Sequence, residues 1–353
     1  MRLLTLIILL LNCYFNAAQA QIAIKNIIAG NVSEIYQAID SANKRKGYTH
    51  ILIKDGTYQL PNTLVIKAPA ITLASLSGDR NKVILNGNGM KKTANVDNLI
   101  YVAAAHFTLT GITLQHSGNH LIQVSGADNP DYFSLSNCVL RDSFEQLLKV
   151  SYGKDISADY GVVKDCVFEY SAGIGPQWYI GGIDAHGIQH WSIRNNTFKN
   201  IASPSYHIAE HAIHIWNNSA HNIVEDNVIF DCDRGIGFGM QKRGNLGGTI
   251  QNNIITHANN ADPFADVGII LENSPDTLIS NNYLYLSHSY PNAIEYRFSG
   301  TKNAIIQHNV TNKKIANRNG ADAFLQKNKI NQPREIVLPK TIQTILTRHF
   351  SKS

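Results

Sequence analysis

Ile193-Arg194-Asn195-Asn196-Thr197-Phe198 is the stretch on which the fold turns, because the chain repeats its form. It recurs as Val224-Glu225-Asp226-Asn227-Val228-Ile229 and as Ile250-Gln251-Asn252-Asn253-Ile254-Ile255. Further on come Ile279-Ser280-Asn281-Asn282-Tyr283-Leu284 and Ile306-Gln307-His308-Asn309-Val310-Thr311. Upstream copies at residues 109–114, 135–140 and 163–168 carry Ile112, Cys138 and Cys166 in the fourth place. The fourth residues fall at 112, 138, 166, 196, 227, 253, 282 and 309, spaced by 26, 28, 30, 31, 26, 29 and 27. A period near 28, with strand-like alternation and little helical signal, predicts parallel strands stacked into coils. The consecutive markers Asn196 to Asn309 fit an internal ladder in which side-chain amides bond from coil to coil.

A second series runs between these copies. Gly182-Ile183-Asp184-Ala185-His186 aligns with Ala212-Ile213-His214-Ile215-Trp216 and with Gly235-Ile236-Gly237-Phe238-Gly239. Gly268-Ile269-Ile270-Leu271-Glu272 and Ala293-Ile294-Glu295-Tyr296-Arg297 complete it. Successive side chains of a strand point to opposite faces. Ile183 and Ala185 therefore share a buried face with their counterparts. The outward rows read Gln123, Lys149, Asp184, His214, Gly237, Ile270, Glu295 and Ser125, Ser151, His186, Trp216, Gly239, Glu272, Arg297. A flanking row holds Asn119, Glu145, Ile180, Glu210, Asp233, Asp266 and Pro291. The small residues Gly182, Ala212, Gly235, Gly268 and Ala293 are expected to floor a shallow groove between carboxylates and histidines.

Around this repeat the rest of the chain is soon placed. Residues 1–20 read as a secretory signal peptide: Arg2 is the positive start, Leu3 to Leu11 an apolar run too short to span a bilayer, and Ala18-Gln19-Ala20 a cleavage site. The protein is expected to be secreted or periplasmic, with no membrane span. Losing Arg2 takes the formal charge from +5 to about +4. That is too mild, and too free of lysine–arginine runs, to point to nucleic acid. The expected divisions are a β-helix domain over 21–315 and a C-terminal tail or cap over 316–353. An N-terminal helix capped by Ser33 and stopped at Gly47 would close the first coil. In the tail, residues 321–327 and 341–349 look part-helical. The mature chain keeps Cys138, Cys166 and Cys232. Cys138 and Cys166 sit on adjacent rungs, about 4.8 Å apart, where a disulfide or two stacked thiols both fit.

The repeat resembles the secreted right-handed parallel β-helix proteins of the pectate-lyase-like superfamily, over roughly residues 27 to 315. That resemblance implies an all-β, single-stranded right-handed solenoid. It leaves function open, since the superfamily holds lyases, hydrolases, epimerases and adhesins. A narrower similarity is to the mannuronan C-5-epimerases. Their Asp-Pro-His-Asp motif is matched by Asp184 and His186, with Ala185 and Gly187 departing from it, and their following His-Gly segment falls at His211-Ala212-Ile213. The similarity implies a uronate-binding groove with His186 as base or acid and Asp184 supporting it.

The residues alone permit the same chemistry. Asp184, His186, His211 and His214 cluster on adjacent coils, and carboxylates beside imidazoles orient and tune them. Such a set suits removal of the proton at C-5 of a uronate, given a cation for the developing charge. Candidate cations are Arg234, Lys149 and Arg297, or a calcium ion held by carboxylates, although no cofactor is required. Glu210, Trp216, Asp233, Glu272 and Glu295 are candidate substrate contacts with Lys149 and Arg297; Trp178, Trp191 and Trp216 fall close together in sequence, and tryptophan rings, where exposed, stack on sugar faces. The expected activity is a polysaccharide lyase or uronate epimerase acting as a monomer. A glycoside hydrolase would need two carboxylates about 5 to 9.5 Å apart, which Asp184 with Glu210 or Asp233 could supply. The alternative is a non-catalytic β-helix that binds glycans or surfaces.

Overall fold

The structure, a computed structural model, describes residues 24–45, 47–91, 96–258 and 262–330. The signal segment and the expected helix over 341–349 lie outside these residues. The chain winds through three long sheets, the first of twelve strands and the second and third of ten each, with a narrow fourth sheet of four strands. One coil shows the path: Ser192–Arg194 lies in the first sheet, Thr197–Lys199 in the second and His211–Trp216 in the third, before Ile223–Glu225 returns to the first. Each of these strands pairs in parallel with its equivalents one coil before and after. The fold is a parallel β-helix, as the period predicted. Its core is one continuous apolar column from Ala29 to Ala321, in which Phe168 and Phe198 stack 4.6 Å apart. Each buried Leu, Ile or Phe contributes about 1.5–3 kcal/mol.

The repeated hexapeptide can now be read residue by residue. Ile193 and Phe198 point inward. The third residue turns the corner in the left-handed region: Asn137, Asp165, Asn195, Asp226, Asn252, Asn281 and His308 have φ of 51°, 59°, 55°, 55°, 56°, 56° and 55°. Asn and Asp enter that region at least cost, because their short side chains bond locally. The fourth residue builds the ladder. Asn196 Oδ1 accepts from Cys166 N at 3.0 Å, and Asn196 Nδ2 donates to Val163 O and Asn227 Oδ1, each at 3.0 Å. Asn227, Asn253, Asn282 and Asn309 repeat the pattern, and Asn328 adds a rung beyond them. A second corner, ahead of the first sheet, also uses left-handed residues, His106, Tyr132, Tyr160, His190 and His221. Their rings stack into an outer column with centroids 4.6, 5.2, 5.2 and 5.4 Å apart.

At the ends the details differ from expectation. The helix α1 (Val32–Lys44) is capped by Asn31, not Ser33: Asn31 Oδ1 accepts from Glu34 N at 2.9 Å while Glu34 Oε2 accepts from Gly30 N at 2.7 Å. Its Ile35, Ala38, Ile39 and Ala42 close the first coil. At the other end Lys314–Arg318 and Ala323–Gln326 continue the third and first sheets, so the ladder runs past 315. Residues 323–326 pair with Ala304–Gln307 and are strand, where a helix was expected. Cys138, Cys166 and Cys232 are buried free thiols, which decides the stacked-thiol alternative. Among the described residues no helix is long and apolar enough to cross a membrane.

Candidate active site

The third sheet carries the chemistry, in the register the sequence predicts. Lys149 pairs with Asp184, Asp184 with His214, His186 with Trp216 and His214 with Gly237. One part of the expectation fails. The row Gly182, Ala212, Gly235, Gly268, Ala293 faces the core and does not floor a groove. A Cβ on Gly182 would meet Phe198 Cδ1 at 2.9 Å, and one on Gly268 would meet Leu284 Cδ2 at 2.5 Å. Two successive residues turn inward there, so the first must be small. The outward floor is Gly237 with Ile270. A Cβ on Gly237 would lie 2.8 Å from His211 Nε2, so glycine lets that ring lie over the following coil.

The expected site residues separate into two groups. In the first, the Lys149 ammonium bonds the Asp184 carboxylate, and His186 Nε2 lies 2.9 Å from Lys149 Nζ. Trp216 Nε1 donates to Asp184 Oδ1 at 2.7 Å. The Trp216 ring packs against His186 at 4.1 Å and lies 4.0 Å beneath the Arg243 guanidinium. Burial disfavours charge on Asp184, yet His186 and Lys149 hold its carboxyl well below the ordinary value. Burial lowers the His186 pKa, and the Asp184 carboxylate only partly offsets that. His186 Nε2 is enclosed by Lys149 Nζ and by Asp184 Oδ1 at 3.5 Å, which leaves it committed within the cage and away from a sugar. Trp216 is 7% exposed and covered by Arg243, so it is no open platform for a sugar ring. Trp191 is core, while Trp178 stands exposed on the loop ahead of Gly181–His186.

The second group lines a cleft of about 210 Å³. Glu210, His211, His214 and Arg234 form its earlier coils, and Glu272, Tyr290, Glu295, Arg297 and Arg318 its later ones. Arg297 Nη1 donates to Glu272 Oε1 at 2.7 Å, and Arg318 Nη1 to Glu295 Oε2 at 2.8 Å. Arg234 Nε lies 3.8 Å from Asp266 and makes no pair with Asp233. The Tyr290 hydroxyl donates to Glu295 Oε1 at 2.5 Å, and burial with that carboxylate raises its pKa.

At the earlier end, Glu210 Oε2 is 3.3 Å from His214 Nδ1 and 3.7 Å from His211 Nδ1. Neither contact is directed as a hydrogen bond. Among the described residues Glu210 Oε2, His214 Nδ1 and both His211 nitrogens are buried without a partner. Burial would raise the Glu210 pKa, but the two imidazoles hold it well below the ordinary value. Burial, with His214 adding, brings His211 down to about 3. His211 is thus neutral at physiological pH.

Asp233, expected to contact substrate, is elsewhere. Its Oδ2 accepts from Ser203 N at 3.1 Å and Ala209 N at 2.8 Å, tethering the loop that leads into His211–Trp216. Burial, with the neighbouring Asp262 carboxylate, pushes its pKa up to about 7. Tyr290, Arg318 and Asp266 are cleft residues that the sequence reading did not single out as site residues. Arg318 had a usable signal, since it pairs in register with Arg297 one coil on.

Three parallel sheets wound about one apolar column, with a polar cleft on the third, define a solenoid of the right-handed β-helix class. The chain belongs to the family described as the right handed beta helix region, whose profile matches residues 98–282. No curated protein gives a significant match. Among solved structures it is similar to an alginate lyase from Paenibacillus sp. str. FPU-7, at 15% identity and TM-score 0.61 over 87% of this chain and 99% of that one. It is also similar to a mannuronic acid specific polysaccharide family 6 lyase from human gut microbiota, at 12% identity and TM-score 0.54 over 87% and 83%. A surface adhesin of Streptococcus pneumoniae matches at 11% identity and TM-score 0.52 over 88% and 93%. At these identities the likeness is one of fold.

Proposed function

We propose that the protein is an exported carbohydrate-active enzyme that takes a uronate-containing polysaccharide along this cleft. It removes the C-5 proton of a uronate at the end formed by Glu210, His211 and His214. One observation carries the reading: a single cleft joins a buried imidazole–carboxylate cluster to the guanidinium groups of Arg234, Arg297 and Arg318. Removing a proton beside a carboxylate drives negative charge onto it, and a fixed cation offsets that charge. Each arginine spends part of its donors on Asp266, Glu272 or Glu295, and a guanidinium has five to offer. If the intermediate expels its leaving group the product is that of a lyase; if it is reprotonated from the other face, that of an epimerase. The two lyases of similar fold act, by their names, on alginate or on mannuronic acid polysaccharide, which supports an acidic substrate. A hydrolase built on Asp184 with Glu210 or Asp233 is disfavoured because Asp184, common to both pairs, is held by Lys149 and Trp216, and Asp233 by the Ser203 and Ala209 amides. Residues 1–20, read as a signal peptide, would deliver the chain to the polymer.

The test is to incubate the protein with alginate, pectate and glycosaminoglycans. Absorbance of unsaturated uronate reports elimination, and deuterium uptake at C-5 reports epimerisation. His214→Ala and Arg297→Ala should abolish whichever activity is found. Binding of these polymers with neither signal would instead establish a binding protein, as the fold shared with an adhesin allows.

A further inference from the structure

We infer that Glu210, His211 and His214 form a site for one divalent transition-metal ion of the zinc class. The surroundings of His214 fix the hydrogen on one of its ring nitrogens. Its Nε2 lies 3.2 Å from the Gly239 carbonyl, which can only accept, so Nε2 carries the hydrogen. Nδ1 of the same ring faces Glu210 Oε2, 3.3 Å away, and has no hydrogen-bond partner among the described residues. His211 Nδ1 faces the same oxygen at 3.7 Å. The three residues thus converge, with one ligand atom from each within 4.8 Å of the others. His211 and His214 are only 5% and 2% exposed, so bulk water does not supply partners. Buried polar atoms left without a partner are costly, and a cation between them would satisfy all three residues by coordination.

Geometry and donor chemistry agree. Tetrahedral bonds of about 2.0–2.1 Å place neighbouring ligand atoms about 3.3–3.4 Å apart, close to the two separations observed. The Nε2–H to carbonyl bond of His214 is the outer-shell contact that orients a ligating imidazole and keeps its other nitrogen unprotonated. Two imidazoles and one carboxylate match zinc and its neighbours, whereas calcium takes six to eight oxygens. This is a different class of metal from the calcium ion that the sequence left open as one alternative, and it falls on residues not expected to be ligands. The ion would face the cleft beside Arg234, leaving a coordination position toward it. Only the identity of what fills that position, a uronate carboxylate, rests on the proposed function.

The test strips the full chain with a chelator and titrates it with Zn²⁺, Co²⁺ or Ca²⁺. The expected result is one zinc per chain retained through gel filtration, and a visible d–d spectrum of low-coordinate cobalt with N/O ligands. Calcium should not displace either. His211→Ala and the near-isosteric Glu210→Gln should weaken zinc binding by at least about 100-fold, more than loss of an outer-shell contact costs. His257→Ala, at the buried His257–Asp262 contact outside the cluster, should leave it unchanged. Circular dichroism of Glu210→Gln guards against misfolding. The inference is overturned if the chain binds neither zinc nor cobalt in stoichiometric amount, or if binding survives both cleft substitutions. Zinc bound at the site without uronate turnover would sink the proposed function and leave the site standing. Uronate turnover by a chain that binds neither zinc nor cobalt would do the reverse.

Discussion

The asparagine ladder and the Glu210–His211–His214 cluster are both polar, both buried and both built by the same coils, yet their hydrogen bonding is opposite. In the ladder each interior amide gives and receives along the axis, so that Asn227 takes two bonds from Asn196 and gives one to Asn253 and one to Ile193 O. In the cluster four nitrogen or oxygen atoms lack partners among the described residues. A satisfied buried stack explains itself as structure. An unsatisfied one, held rigid on three packed sheets, is where a fold departs from its own rules and where a ligand is to be sought.

The contrast can be broken by substitution, beginning with the largest effect. The Lys149–Asp184–His186 cage is satisfied and should behave like the ladder. Asp184→Ala leaves a buried ammonium alone and should cost about 3–5 kcal/mol in denaturant unfolding. A loss under about 1 kcal/mol would mean the cage is only a surface pair. Asn227→Ala orphans the Asn196 N–H and the Ile193 carbonyl, and at about 1–3 kcal/mol for an unsatisfied buried group should cost roughly 2–4 kcal/mol by the same measurement. His211→Leu is the opposite case. It removes buried polar atoms that have no partner, so in metal-free protein it should be neutral or stabilising within about 1 kcal/mol. A loss comparable to that of Asn227→Ala would show that the cluster is structural after all.

A pH experiment probes the loop between the two regions. The folded Asp233 carboxyl keeps its proton up to about pH 7, against an ordinary value of 3.8. Protonation therefore favours the folded state, because burial and the Asp262 carboxylate penalise the charged form more than the Ser203 and Ala209 amides reward it: the contribution is whole below pH 3.8 and is lost as pH rises through about 7. Hydrogen exchange over residues 203–209 should speed up across that window, and Asp233→Asn should flatten the dependence.

The corner hexapeptide was legible because each of its residues meets its own equivalent one coil away, so the repeat in the sequence is the contact in space. The third sheet was legible in register and misread in depth. Alternation by two fails at Gly182 and Ile183, where successive residues both turn inward, and no single-strand pattern announces that. Asp184, His186 and Trp216 were placed correctly along the strand, but the Arg243 lid comes from a turn whose path the repeat does not specify. Arg318 was lost because the ladder was taken to end at Asn309. Following the asparagine marker to Asn328 would have added the coil that carries it.

The left-handed corners have a consequence for copying errors within the molecule. Suppose the coil around Asn195 slips by one residue against its neighbour. In one direction Arg194 must adopt the left-handed turn, at about 1–2 kcal/mol; in the other, Thr197 enters the amide ladder with a single hydroxyl donor where the amide gives two bonds. At the next coil the offenders would be Glu225 and Val228, and at the one after it Gln251 and Ile254. Each turn thus carries its own parity check, read against the turn already laid down. A solenoid with such checks detects a register mistake in the coil where it arises, before later coils are stacked upon it.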